Sequence, residues 1–127
     1  MLQTMFAIGL GAALGAWLRW GLGLWLNGLT PLLPAGTLAA NLLGGYLIGA
    51  AVMVFTHHPG LPDALRLFAI TGLLGGLTTF STFSAEVVAM LQTGRFGAAA
   101  LTAFVHLAGS LAMTFAGIAT VEALRRG

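Results

Sequence analysis

Five hydroxyl side chains, Thr78, Thr79, Ser81, Thr82 and Ser84, crowd together inside an otherwise hydrophobic stretch of this chain. Phe80 and Phe83 stand among them three residues apart, so in a helix they share one face. Thr82 and Glu86, four apart, line another strip of the same helix. Glu86 is the only acid well inside a hydrophobic segment, and an ionisable group at membrane depth is a functional candidate by default. It lies close enough to the helix end to be read as water-exposed. Two more polar features stand out. Asn41 is the one strong polar residue of its apolar run, and its amide needs partners in the protein interior or along a water-filled path. His106, Ser110 and Thr114 recur every four residues and draw one polar stripe along another apolar helix. Together these groups suggest a pathway rather than a reaction. Ser110 and His106 share a face, but no base, nucleophile and orienting group occur together, which argues against an enzyme. His57 and His58 are adjacent and point apart on regular structure, so they are read as a solvated loop pair and not a metal site.

The elements that must hold these residues are membrane helices. The chain has 127 residues, 58% hydrophobic and 6% charged, against roughly a quarter charged in soluble domains. Its basic balance comes from five basic residues against three acidic ones. All five are arginines and they form no patch, so no nucleic-acid partner is expected. Without cysteine there is neither a disulfide framework nor a thiolate site. The first residues, Met-Leu-Gln-Thr-Met-Phe, lack the positive start of a cleavable signal peptide, and the N-terminus is read as mature.

A single transmembrane domain spanning 1–127 is expected. Its first segment runs from about Thr4 to Leu26, with Gly11 and Gly15 at a close-packing spacing. Trp17, Trp20 and Trp25 surround Arg19, which places that charge near an interface where it snorkels or faces water; attracting anions or packing is the other reading. A loop with two prolines and two glycines follows, over 27–36. The second segment, about Thr37 to Phe55, carries Asn41, Gly45 and Gly49, with Thr37 read as a cap and Tyr46 as a packing residue. The third runs from Asp63, a candidate N-cap, or Ala64 to Gln92. If wholly helical it would reach roughly 43 Å, longer than a hydrocarbon core of about 30 Å. Adjacent glycines and threonines at 75–79 predict a helix break there. Broken backbone cannot face lipid, so the break implies a site where protein, water or an ion satisfies it. The fourth segment covers about Ala98 to Val121. Four crossings put both termini on one side, and the arginine bias between the sides is weak enough for insertion in either orientation. An antiparallel homodimer would supply the inverted symmetry common in transport folds.

The sequence Gly-Gly-Leu-Thr-Thr-Phe-Ser-Thr-Phe at 75–83, with Asn41 in Gly-Thr-Leu-Ala-Ala-Asn and Arg19 in Arg-Trp, resembles the Fluc-type fluoride channels of microbes, over the whole chain. The resemblance implies an all-α fold of four transmembrane helices with a broken third helix, assembled as a dual-topology antiparallel dimer with two pores. It implies passive fluoride export across the cell (inner or plasma) membrane. Phe80 and Phe83 would be the pore phenylalanines, and Asn41 would donate a hydrogen bond to the ion. Ser81 and Thr82, with Ser110 and Thr114, would form a polar track, and Glu86, His106, Arg19 and Thr37 would be vestibule or track residues. The carbonyls of Gly75 and Thr78 from both subunits would hold a central sodium ion. The chemistry of the residues agrees. Fluoride is small and tightly hydrated, and amide hydrogens, hydroxyls and the positive edges of aromatic rings can replace its water. A cation held by carbonyls would add attraction that a basic side chain at mid-depth supplies only at high cost.

Two rival readings remain from the residues. A small dual-topology four-helix multidrug exporter would need a glutamate in its first helix, where this chain has Arg19. A non-transporting membrane subunit would need close-packing glycines but no broken third helix.

Overall fold

Long apolar runs separated by Pro/Gly-rich or charged turns leave the chain one economical arrangement, in which each run satisfies its own backbone hydrogen bonds as a helix. The computed structural model describes all 127 residues. Four spans are long and apolar enough to cross a membrane: Leu2–Leu26, Ala35–His57, Asp63–Gln92 and Phe96–Arg126. The first two are single helices, α1 (Leu2–Leu26) and α2 (Ala35–His57). The third is built in pieces: α3 (Asp63–Arg66), a π-helical stretch over Leu67–Leu74, the single turn α4 (Gly75–Leu77), and α5 (Phe80–Gln92). The fourth is α6 (Phe96–Arg126). The expected all-helical architecture with a broken third helix is therefore present. The π-helical stretch before the break was not foreseen.

Two glycine seams hold the spans together. Lipid tails are as apolar as leucine, so membrane helices associate by close backbone contact rather than by burying apolar surface from water. In the first seam α1 crosses the third span. A Cβ on Gly76 would stand 2.5 Å from the Ala12 carbonyl, and one on Gly72 2.7 Å from that of Ile8. Side chains at Gly11 and Gly15 would collide with the Phe68 and Leu73 carbonyls. In the second seam α2 lies along α6 over much of their length. Here a Cβ on Gly45 would meet the Ser110 carbonyl at 2.9 Å, and Gly49 and Gly117 abut the backbone of Thr114 and Tyr46. A small cluster of Ala40, Leu74 and Leu77 is sealed between the seams. Only 16 of the 127 residues are buried, so most apolar side chains of the protomer face outward, as a membrane helix bundle requires.

The helix ends depart from the sequence reading at two points. Thr37 does not cap α2, which begins two residues earlier. Instead Asn27 reaches over from the end of α1, and its Oδ1 accepts from the amides of Gly36 (2.7 Å) and Thr37 (3.3 Å). Asp63 is not an N-cap but the first residue of α3, after Pro62, and it pairs with Arg66 at 2.5 Å. A negative charge in the first turn still complements the helix dipole. His57 closes α2 and lies 3.3 Å from Glu122 on α6, whereas His58 turns back to the Val54 carbonyl. Tyr46 donates its hydroxyl to Thr120 at 2.7 Å, a second tie between α2 and α6.

Candidate functional site

The third span opens at two residues. Thr78 (φ −83°, ψ 152°) and Thr79 (φ −149°, ψ 121°) are extended, and helix resumes at Phe80. An open turn in a membrane helix frees donors and acceptors that must be met locally. The amide of Thr79 goes to Asn41 Oδ1 at 2.8 Å, and Asn41 Nδ2 donates to the Thr79 carbonyl at 3.1 Å. The asparagine side chain thus pairs with both backbone groups of one residue, much as a neighbouring strand would. Thr79 also caps α5, its Oγ1 accepting from the Thr82 amide at 3.1 Å. Arg19 serves the break as well: its Nε donates to the Gly76 carbonyl at 3.1 Å. Of the sequence readings of this arginine, an interfacial anchor or a role in attracting anions or packing, its contact with the broken helix is a packing one.

The carbonyls of Gly75 and Thr78 are among those left without their helical donors. The Thr79 amide, which would serve Gly75 in an intact helix, is held by Asn41. The Thr82 amide, which would serve Thr78, is held by the Thr79 hydroxyl. Gly75 is exposed on the protomer surface. Carbonyls freed in this way are the kind of hard oxygen ligand that a small cation accepts, so the residues present fit a small cation such as sodium.

Beside the break lies an open groove of about 410 Å³ that brings together Asn41, Thr78, Thr79, Phe80, Phe83, His106 and Ser110. The two phenylalanine rings meet edge to face, 5.5 Å apart at 69°. Phe83 also stacks on His106 at 4.4 Å and 30°. His106 is 4% exposed, and its Nδ1 lies 3.0 Å from Asn41 Nδ2. Asn41 was expected to donate to an ion, yet in this state its amide hydrogens are engaged by Thr79 and His106.

Other candidate residues lie off this groove. Ser81 is exposed, 3.3 Å from the Thr79 hydroxyl. Thr82 lies with Arg19 and Thr37 around a smaller cleft of about 270 Å³. Thr114 donates to the carbonyls of Gly45 and Ser110, 3.0 Å each, so its hydroxyl is spent on joining helices. Glu86 was expected to meet water. Its Oε2 accepts the Thr37 hydroxyl at 2.6 Å, while its Oε1 is shut away without a partner. Along the stripe on α6 a four-residue spacing fixes the face but not whether a hydroxyl bonds back to its own helix, as Thr114 does while His106 and Ser110 line the groove. Arg95 was not singled out. It donates to the carbonyls of Pro31 and Leu32, 2.9 Å each, and so fastens the first loop to the turn after α5. The proline-rich loop, with its lack of donors, was the available signal.

Residues 6–118 match the family model described as CrcB-like protein, Camphor Resistance (CrcB). A protein of Thiobacillus denitrificans named fluoride-specific ion channel FluC is 57% identical over 124 residues, covering 98% of this chain and all of the relative. One of Nitrosospira multiformis with the same name is 62% identical, covering 95% of this chain and 94% of the relative. One of Tolumonas auensis, again so named, is 58% identical over 99% of both chains.

Proposed function

The chain belongs to the CrcB-like protein family, and from that membership we propose that it is a fluoride-selective ion channel of the cell membrane, which lets fluoride leave the cell passively. The observation that carries the reading is the break at Thr78 and Thr79. It is held open by Asn41 and flanked by two phenylalanines whose rings meet edge to face beside the same groove. Aromatic edges carry partial positive charge. A ring edge presented to an anion in this groove would therefore offer it a weak, compact cradle without the cost of a buried cation.

In this reading Phe80 and Phe83 line the path, Ser81, Thr82 and Ser110 supply donors along it, and Asn41 joins them where an amide hydrogen turns from Thr79 or His106 to the ion. Thr114 holds the α2–α6 seam that forms one wall. Arg19, Thr37, Glu86 and His106 border the path. Phe80 is 78% exposed in the protomer, and a pore residue so placed needs a second wall. An antiparallel second copy would provide it, giving two pores per dimer, and would bring a second set of Gly75 and Thr78 carbonyls to the same axis. A sodium ion held there would supply a fixed positive charge at mid-depth. Asn41 and the Thr79 hydroxyl leave those carbonyls free for an ion by engaging the amides of Thr79 and Thr82.

Liposomes loaded with fluoride test the proposal. With valinomycin present to carry potassium, purified protein should release fluoride rapidly and retain chloride. Release that does not need valinomycin would indicate proton-coupled exchange, and retention of both ions would reject a channel.

A further inference from the structure

The first loop, residues 27–34, forms one wall of a cleft of about 390 Å³ at the helix ends. Asn27, Thr30, Pro31, Glu86, Thr93 and Arg95 are among the residues that line it. The smaller cleft around Arg19, Thr37 and Thr82 includes Asn27 as well, so the two adjoin. The hydrogen bond from Thr37 to Glu86 stands between them. At the inner end Arg19 reaches the Gly76 carbonyl of the broken helix. Past one polar partition, then, the two clefts lead from the helix ends to the break.

The loop is thinly anchored. Pro31 and Pro34 have no amide to donate, and Leu29 and Leu32 lie open to the outside. The Leu32 amide donates to the Thr30 hydroxyl of the same loop. The one polar tie from residues 30–33 to the rest of the bundle is Arg95, whose Nη2 donates to the carbonyls of Pro31 and Leu32. Arg95 itself is well fixed. Gly94 turns the chain with a φ of 77°, and the Arg95 amide donates to the Met90 carbonyl at 2.8 Å. A single guanidinium thus fastens the loop to a firm turn by two exposed hydrogen bonds.

We propose that Arg95 is the clasp of a strap: by holding residues 27–34 against the outer cleft it sets how readily fluoride enters the path, without itself binding the ion. The proposal rests on the channel reading above. Its connection to the path runs through Asn27, which opens the loop, lines both clefts and accepts from the Gly36 and Thr37 amides. With the strap fastened, Asn27 and Thr30 stay in the cleft wall and Thr37 stays at the partition. With the strap loose, that wall is in place for only part of the time. An entry site formed part of the time loses apparent affinity by the fraction formed. Steps deeper in, at Phe80 and Phe83, are untouched. Arg95 is therefore a positioning residue for entry.

The test follows fluoride flux over a range of fluoride concentrations. Arg95→Ala should raise the half-saturating concentration about fivefold, as when the wall is in place for about a fifth of the time. Maximal flux and melting temperature should stay near those of the parent. The chain has no cysteine, so a covalent clasp can replace the natural one. In protein carrying Leu32→Cys and Arg95→Cys, a bis-methanethiosulfonate reagent about as long as an arginine side chain should restore the half-saturating concentration, and a reductant should undo the rescue. The tether carries no charge, so this separates a clasp from a cation that merely draws anions. A third variant leaves Arg95 in place: Thr30→Cys, modified in the cleft by an anionic thiol reagent, should also weaken entry. Parent-like concentration dependence in Arg95→Ala overturns the proposal. So does a proportional loss at every concentration, which marks a merely structural role, and so does a completed tether that restores nothing. Should the Arg95 variants fail to fold, an unchanged concentration dependence in fully modified Thr30→Cys still overturns it. If the unsubstituted protein passes no fluoride at all, the channel reading has failed instead.

Discussion

Asn41 shows how one side chain can replace a piece of secondary structure. Its amide meets both backbone groups of Thr79 and the ring of His106, so Asn41→Asp would remove two donors and set a carboxylate against the Thr79 carbonyl. Each buried partner left unsatisfied costs about 1–3 kcal/mol. We expect fluoride efflux to fall at least about tenfold, with a lower unfolding temperature; unchanged efflux would take Asn41 off the path. Phe80→Ile separates conduction from folding. The Phe80 ring is mostly exposed in the protomer, so the melting temperature should hold while efflux collapses for want of an aromatic edge. The sequence showed that Asn41 must have partners, because an isolated amide in an apolar run is too costly to leave bare. It did not show which partners, since Thr79 lies 38 residues away and only the crossing of spans brings them together. Arg19 is the sharper case. Flanking tryptophans report depth along a helix, but an arginine side chain is long enough to reach inward from that depth, and here it meets the Gly76 carbonyl.

At the scale of elements, the break and its cap act together. Thr79 starts α5 by accepting from the Thr82 amide. Thr79→Ala should therefore cost about 1 kcal/mol, within the usual range for a lost N-cap. Thr79→Ser, which keeps the hydroxyl, should restore the stability in the same denaturation experiment. The glycine seams make a stronger demand. A side chain at Gly49 has no room beside the Thr114 backbone, and helices cannot yield locally without parting. Gly49→Val should destabilise the fold by about 1–3 kcal/mol, read as early unfolding in detergent; a melting curve like that of the parent would mean that α2 and α6 are less tightly apposed. The break was legible because paired glycines and paired threonines are poor helix formers. The π-helical stretch over Leu67–Leu74 was not. Its residues are almost uniformly apolar, and without a polar stripe there is nothing in the sequence to report a change of helical phase.

The whole protomer is an unfinished object. It exposes the Phe80 ring, the Gly75 backbone and many large apolar side chains at once, and lipid can cover only the last of these well. If two copies insert in opposite senses, a single cysteine placed near either terminus should be labelled from outside intact vesicles to about half its total, as expected of a chain with little charge bias. The absence of native cysteines makes this measurement clean. Complete or negligible labelling would mean a single orientation and would remove the antiparallel dimer.

The wide turns before the break also bear on how this span tolerates length change. A π turn is an α-helix carrying one residue more than it needs. Deleting a residue between Leu67 and Leu74 can tighten the coil and keep a continuous helix, whereas a deletion between Gly75 and Phe83 must displace the capping hydroxyl, the asparagine pairing or a ring. Along the third span, then, insertions and deletions that survive in descendants of this chain should gather before Gly75, and the nine residues from Gly75 to Phe83 should keep their count even where their letters change.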